Sequence, residues 1–176
     1  KRAEDFGKYL STKSDAYFHF LKSRQFINEN RLDDALIELQ QAAAADPEAS
    51  YLVTKSAALY MRLGQGEKAL ETAERAKALN PGSIEARMLL AGLYANTKQP
   101  HRAIIEYQEI LELEPKNERA LIWLASLYTT QERYAEARAI LQRLLSKDPD
   151  NAMALYYLAR MEIELKLFTD AEKNYL

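Results

Sequence analysis

Among the residues whose types could do chemistry, the adjacent carboxylates Asp33 and Asp34 come first, because paired acids can divide general-acid and general-base roles. They follow the turn-prone stretch Asn28–Arg31 and open an apolar-periodic segment. Negative charge there stabilises a helix N-terminus, so they are read as helix-end charges rather than a catalytic pair. His19 and His101 are the only histidines, and their separation gives no metal-ligand spacing; each is assigned a structural or solvated role. The sequence contains no phosphate-cradling glycine loop and no nucleophile motif. These residues point to a non-enzymatic chain, with no cofactor and no metal expected.

Composition agrees with that reading. Of the 176 residues, 48% are hydrophobic and 28% charged, enough to bury a sizeable core. A net charge of -2 supplies no general attraction to phosphate backbones or anionic membranes, so nucleic acid is not the expected partner. No apolar run approaches the roughly 20 residues needed to span a bilayer, and direct membrane insertion is not expected. Lys1 does not open a signal peptide. The absence of cysteine excludes disulfides and thiolate metal sites and leaves the compartment open.

The elements that must position any functional surface are set by four prolines. Pro47, Pro81, Pro115 and Pro149 stand 34 residues apart, each closing a helical stretch. A fixed period of this length marks stacked helix pairs, each too small to bury its own apolar face. With proline at position 32, the units are 16–49, 50–83, 84–117, 118–151 and a truncated 152–176. Position 20 is then Ala35, Ala69, Ala103, Ala137 and Ala171, and position 8 is Ser23, Ala57, Ala91, Ala125 and Ala159. Small residues at both positions let helix backbones approach closely. Position 11 is large in four units, Phe26, Tyr60, Tyr94 and Tyr128, and becomes Glu162 in the fifth.

Positions 4, 7, 8 and 11 share one face of a first helix, and positions 20, 24 and 27 one face of a second, so each unit reads as a helical hairpin. Asn28–Arg31, Gly64–Gly66 and Thr97–Pro100 supply turn chemistry, and Ser83, Asn117 and Asn151 are the expected N-caps of following units. The Ala42–Ala45 run reads as close helix packing. Residues 1–15 are read as a lead-in or partial helix, with Phe6, Tyr9 and Leu10 on one stripe. The fifth unit stops within its expected second helix, without the polar cap that a terminal repeat needs, so the natural protein is expected to continue.

The pattern resembles the tetratricopeptide repeat family, whose motif has small residues at positions 8, 20 and 27, an aromatic at 11 and proline at 32, over residues 16–176. Two positions depart from it. The aromatic usual at position 4 is replaced by His19, Val53, Arg87, Leu121 and Leu155, and position 27 is large in Ile110 and Leu144. The resemblance implies an all-α, right-handed solenoid of antiparallel helix pairs whose concave groove is lined by first-helix positions 2, 5, 9, 12 and 13. The period of 34, rather than 35, and the acidic balance set the chain apart from the RNA-reading pentatricopeptide repeats.

Carried onto this sequence, the groove positions give Tyr17, Phe20, Arg24, Ile27 and Asn28 in the first unit. The second unit gives Tyr51, Thr54, Ala58, Met61 and Arg62, and the third contributes Met88 beside the small Gly92. The fourth contributes Arg119 and Ile122, and the fifth Tyr156, Arg160 and Ile163. The competing reading is that Tyr17, Phe20, Tyr156 and Ile163 pack between repeats; Trp123, at position 6, is read as packing. Family members that clamp acidic chaperone C-termini require lysine, asparagine and arginine at positions where this chain has Phe20, Arg24, Lys55, Glu85 and Leu89, so that clamp is not expected.

The resemblance therefore implies a protein-interaction scaffold taking a peptide or helix in the groove, similar to bacterial multi-repeat proteins of the cytoplasm or envelope. The alternative is a self-assembly module, a homo-oligomer formed through the groove or the C-terminal edge around Phe168 and Tyr175. A third reading makes the chain the regulatory part of a longer enzyme.

Overall fold

A computed structural model describes the backbone of residues 2–175 and the side chains of residues 11–166. All regular structure in it is helical: α1 (Arg2–Asn28), α2 (Leu32–Ala45), α3 (Ser50–Arg62), α4 (Gly66–Leu79), α5 (Ile84–Asn96), α6 (Pro100–Leu113), α7 (Glu118–Thr130), α8 (Tyr134–Lys147) and α9 (Ala152–Tyr175). The chain forms two compact units, Lys1–Thr97 and Lys98–Leu176. In the first, α1 packs on α2 and α3 on α4, while α2 meets α3, α4 meets α5 and α3 meets α5. The second repeats the scheme, with α7 on α8, α6 against α7, α8 against α9 and α7 against α9.

The recurring proline ends each second helix through the same local structure. The residue before it, Asp46, Asn80, Glu114 or Asp148, donates its amide to the carbonyl of Ala42, Ala76, Ile110 or Leu144, completing the last helical turn. That residue's own carbonyl then accepts from the amide three residues on: Ala49, Ser83, Asn117 or Asn151. Proline thus occupies the second corner of a four-residue turn, where its fixed φ is suited and no amide is needed. The turn delivers the next cap. Ser83 Oγ accepts from the Ala86 amide at 3.2 Å, and Asn117 and Asn151 Oδ1 accept from Ala120 and Ala154, each at 3.0 Å.

Within each hairpin the reversal falls on position 15. Gly64 takes φ +73 there at no steric cost, whereas Asn30 (φ 59), Lys98 (φ 57) and Glu132 (φ 58) carry side chains in the left-handed region. The turn at Gln131–Arg133 contains neither glycine nor proline and still forms, because Leu141 and Leu144 of α8 are then buried against Leu121 and Ala125 of α7. Tertiary burial overrides weak local turn chemistry.

The small residues are where the helices touch. Ser23, Ala57, Ala91 and Ala125 at position 8 are all fully buried, as are Ala35, Ala69, Ala103 and Ala137 at position 20. The large residue at position 11 does more than fill space. Its phenol is tied to position 25 of the preceding repeat: Gln40 Nε2 donates to Tyr60 Oη at 2.8 Å, Tyr94 Oη donates to Glu74 Oε1 at 2.7 Å, and Gln108 Nε2 donates to Tyr128 Oη at 3.0 Å. Arg31 and Arg133, both at position 16, stack over the Phe26 and Tyr128 rings at 4.2 and 4.3 Å. Of the alanine run, Ala42 is buried with Ala16 and Leu52, and Ala43 and Ala45 pack at the edge of that cluster, but Ala44 faces solvent.

The two ends depart from the hairpin scheme. Helix α1 runs without a break from Arg2 through the expected start of the first unit at residue 16; the stripe Phe6, Tyr9 and Leu10 lies outside the described side chains. Helix α9 continues from Ala152 to Tyr175 where the fifth unit was expected to turn back. It docks through Ala154, Tyr157 and Met161, all buried. Its opposite face remains open: Leu155 is 45% exposed and Ala159 is exposed, since no second helix folds back over position 8. Ala171, Phe168 and Tyr175 lie outside the described side chains.

Overpacking tests the crossings in each unit separately. Ala57→Leu and Ala125→Leu should each cost about 1 to 3 kcal/mol in thermal or denaturant unfolding, while the same change at exposed Ala159 should cost far less.

Candidate functional site

A cleft of about 440 Å³ opens in the first unit, bounded by α1, α2 and α3. Its floor is apolar, formed by Ile27, Leu39, Ala58 and Leu59, with Ser23 and Asn28 alongside. Phe20 from α1 and Tyr51 from α3 meet edge to face across it, with ring centroids 5.5 Å apart. Phe20 is half-buried and packs on the clusters of Leu36, Leu39 and Leu52, so it belongs both to the core and to the cleft wall. Tyr51 is 48% exposed.

Three cations line the cleft: Arg24 from α1, and Lys55 and Arg62 from α3. Lys55 is engaged. Its Nζ donates to Glu85 Oε1 at 2.6 Å and lies 4.8 Å from the Tyr51 ring centroid. Burial pushes its pKa down, but the Glu85 carboxylate with Tyr51 outweighs this and holds it above the ordinary lysine value. Arg24 and Arg62 are exposed and have no hydrogen-bond or ion-pair partner among the described residues. The described residues lining the cleft include no carboxylate, although the whole chain carries a charge of -2.

Of the groove residues expected from the sequence, the cleft brings together Phe20, Arg24, Ile27 and Tyr51, with Asn28, Ala58 and Arg62. Thr54 does not present itself: it is 2% exposed, and its hydroxyl donates to the Ser50 carbonyl at 2.9 Å. Tyr17 and Met61 are exposed and Met88 half-buried, but none of them lines the cleft.

In the second unit, Arg119 is exposed near Tyr107, whose phenol is pushed up to about 12 chiefly by burial. Ile122 packs against the α7–α9 core. Tyr156 is 57% exposed and edge-on to Tyr157, and Ile163 is 59% exposed, so neither packs between repeats. Arg160 donates through Nε to Glu164 Oε1 at 3.2 Å, which raises its pKa, so its charge is already answered.

Lys55 was overlooked by sequence reasoning and Trp123 misplaced. Trp123, read as packing, is 49% exposed, and Lys55 helps line the cleft. Both occupy position 6, four residues after position 2, and therefore share its face by helical periodicity. That spacing was present in the sequence.

His19 has a structural place. Its Nδ1 lies 2.6 Å from Glu38 Oε2, while Lys22 Nζ donates to Glu38 Oε1 at 2.6 Å, giving this buried carboxylate two partners from α1. Asp33 and Asp34 lie in the first turn of α2, where Arg31 Nε donates to Asp34 Oδ2 at 2.7 Å. Among the described residues, no group of three or more His, Cys, Asp or Glu is placed to hold a metal ion, and no helix is long and apolar enough to cross a membrane.

The sequence matches the tetratricopeptide repeat over residues 26–93, 97–154 and 129–173, most of the chain. Comparison with curated proteins gives no match. Among solved structures, the fold is similar to a tetratricopeptide repeat protein from Parabacteroides merdae, with a TM-score of 0.83 and 22% identity, covering 92% of this chain and 65% of that one. The chain thus spans less than two thirds of that relative's length. It is also similar to YrrB, a TPR protein with an unusual peptide-binding site (TM-score 0.70, 22% identity, 81% of this chain and 74% of that one). A third is the first TPR of Spaghetti bound to the HSP90 peptide SRMEEVD (TM-score 0.64, 24% identity, 68% of this chain and 95% of that one). At these identities the likeness carries the fold alone.

The Glu38 cluster yields a pH prediction. Hydrogen bonds from His19 and then Lys22 lower the Glu38 pKa below its ordinary 4.5. A carboxylate depressed on folding contributes stability that is present above its unfolded value and lost as pH falls through the folded value. The stability difference between wild type and Glu38→Gln, measured by denaturant unfolding, should therefore be largest near neutrality and shrink below about pH 4.5. A difference independent of pH would contradict the assignment.

Proposed function

The chain belongs to the tetratricopeptide repeat family, and from that premise we propose that it is a non-enzymatic scaffold that binds a peptide or helix of a partner protein in the α1–α3 cleft. Proteins with this fold generally mediate protein–protein interaction, which is the coarser statement on which the proposal builds. The observation that carries it is the cleft, where an apolar floor, two aromatic walls and unanswered arginines converge on one concave surface. Such a combination suits a segment that inserts an apolar anchor and is oriented by charge at the rim. In this reading residues 16–176 form the repeat array and residues 1–15 lead into it. The inner positions of the second unit, Arg119, Ile122, Tyr156 and Arg160, supply a further surface.

Self-assembly is the competing reading, favoured by the open face of α9 at Leu155 and Ala159. Concentration-dependent sedimentation separates the two: a scaffold sediments independently of concentration, whereas a self-assembly module grows with it.

Binding energetics test the cleft. For a peptide selected on the wild-type chain, Phe20→Ala or Tyr51→Ala should weaken affinity by about 1 to 2 kcal/mol or more, as expected of an aromatic hot spot, with the helical circular dichroism retained. Arg138→Ala, at an exposed position of α8, should leave the affinity unchanged. Equal binding by the Phe20, Tyr51 and Arg138 variants would place the partner elsewhere.

A further inference from the structure

We propose that the occupant of the α1–α3 cleft is an internal peptide segment in which an apolar residue is flanked on both sides by aspartate or glutamate. The inference rests on the reading that the cleft binds a peptide, and it adds the chemistry of that peptide. Its basis is charge complementarity. A chain with a net charge of -2 lines one cleft with three cations and, among the described residues, no carboxylate. One of the three, Lys55, is already paired with Glu85. The remaining two, Arg24 and Arg62, have no partner among the described residues and belong to different helices, α1 and α3. A guanidinium can take a carboxylate through two parallel hydrogen bonds, so each of these walls supplies a complete carboxylate receptor.

The geometry between them sets the rest of the ligand. Phe20, Ile27, Tyr51 and Leu59 lie in the same cleft as the two arginines, and they suit an aliphatic or aromatic side chain rather than a polar one. The α-carboxylate of a chain terminus lies on one side of an anchor only, so an acid on its other side must come from a side chain. Two side-chain acids flanking one anchor answer both. Lys55, held by Glu85 and stacked by Tyr51, keeps its positive charge beside the cleft and disfavours a basic ligand there. Asn28 adds an amide able to donate to or accept from a peptide backbone.

The test is a selection of random dodecamer peptides displayed on phage against the full chain at low salt, followed by synthesis of the enriched sequences. The inference predicts enrichment of Asp or Glu on both sides of a Leu, Ile, Phe or Tyr. It also predicts that replacing those acids with Asn or Gln weakens binding roughly tenfold, and that amidating the peptide C-terminus does not. Selection against the doubly reversed chain, R24E with R62E, should enrich Lys or Arg at the same flanks, a gain that misfolding cannot imitate. Peptides that lose affinity on Phe20→Ala yet show no acidic preference, or that depend on a free terminal carboxylate, would overturn the inference and leave the cleft reading standing. Peptides indifferent to Phe20→Ala and to both charge reversals would overturn the two together, as would a selection that enriches nothing.

Discussion

The helices of this chain close on alanine. At position 8 of the first helix and position 20 of the second in each of the first four repeats, side chains no larger than a methyl or hydroxymethyl group are fully buried, which lets helix backbones approach closely. Because the pairs are this close, the tyrosine at position 11 reaches the preceding second helix, and Tyr60, Tyr94 and Tyr128 each form a hydrogen bond spanning the same 20 residues of sequence. The proline turn sets how each second helix ends, and Ser83, Asn117 and Asn151 set where the next first helix begins. A single helical hairpin cannot bury its apolar face alone, so each of these local devices acts by presenting one pair to the next.

The cleft is a by-product of that geometry at the first two repeats. Ser23, Ala58 and Leu59 line it between α1 and α3, and Phe20 and Tyr51 hold its rim through one ring contact. Pairing then separates the arginines of this surface from Arg160 of the second unit. There Arg160 is paired with Glu164, which also accepts from Tyr134; here Arg24 and Arg62 remain without partners among the described residues. Unpaired exposed arginines contribute little to stability and are available to a ligand.

What the sequence made legible was whatever recurs with the period. The helix pairs, the buried small residues, the three polar N-caps and the head of α2 at Asp33 and Asp34 all follow from aligning four prolines. The path of α9 was not legible, because a turn at position 15 is enforced by burial of a second helix more than by local residues: Glu132 turns and Lys166 does not. The candidate site was half legible. Register alone found Phe20, Arg24, Ile27 and Tyr51, but it placed Thr54 on the surface although its hydroxyl bonds back to the helix and its side chain is covered. It also overlooked position 6, where Lys55 and Trp123 share the face of position 2. Which arginines are already paired depends on partners from other helices, such as Glu85 for Lys55, and only the assembled structure supplies them.

The central claim, that the chain acts through the α1–α3 cleft, is tested most directly by amide chemical-shift mapping with a selected peptide bound. The account predicts perturbations concentrated on residues 20–28 of α1 and 51–62 of α3, with side-chain guanidinium shifts at Arg24 and Arg62. Perturbations confined to the outer faces of α2 and α4, or to α9, with α1 and α3 unchanged, would contradict it.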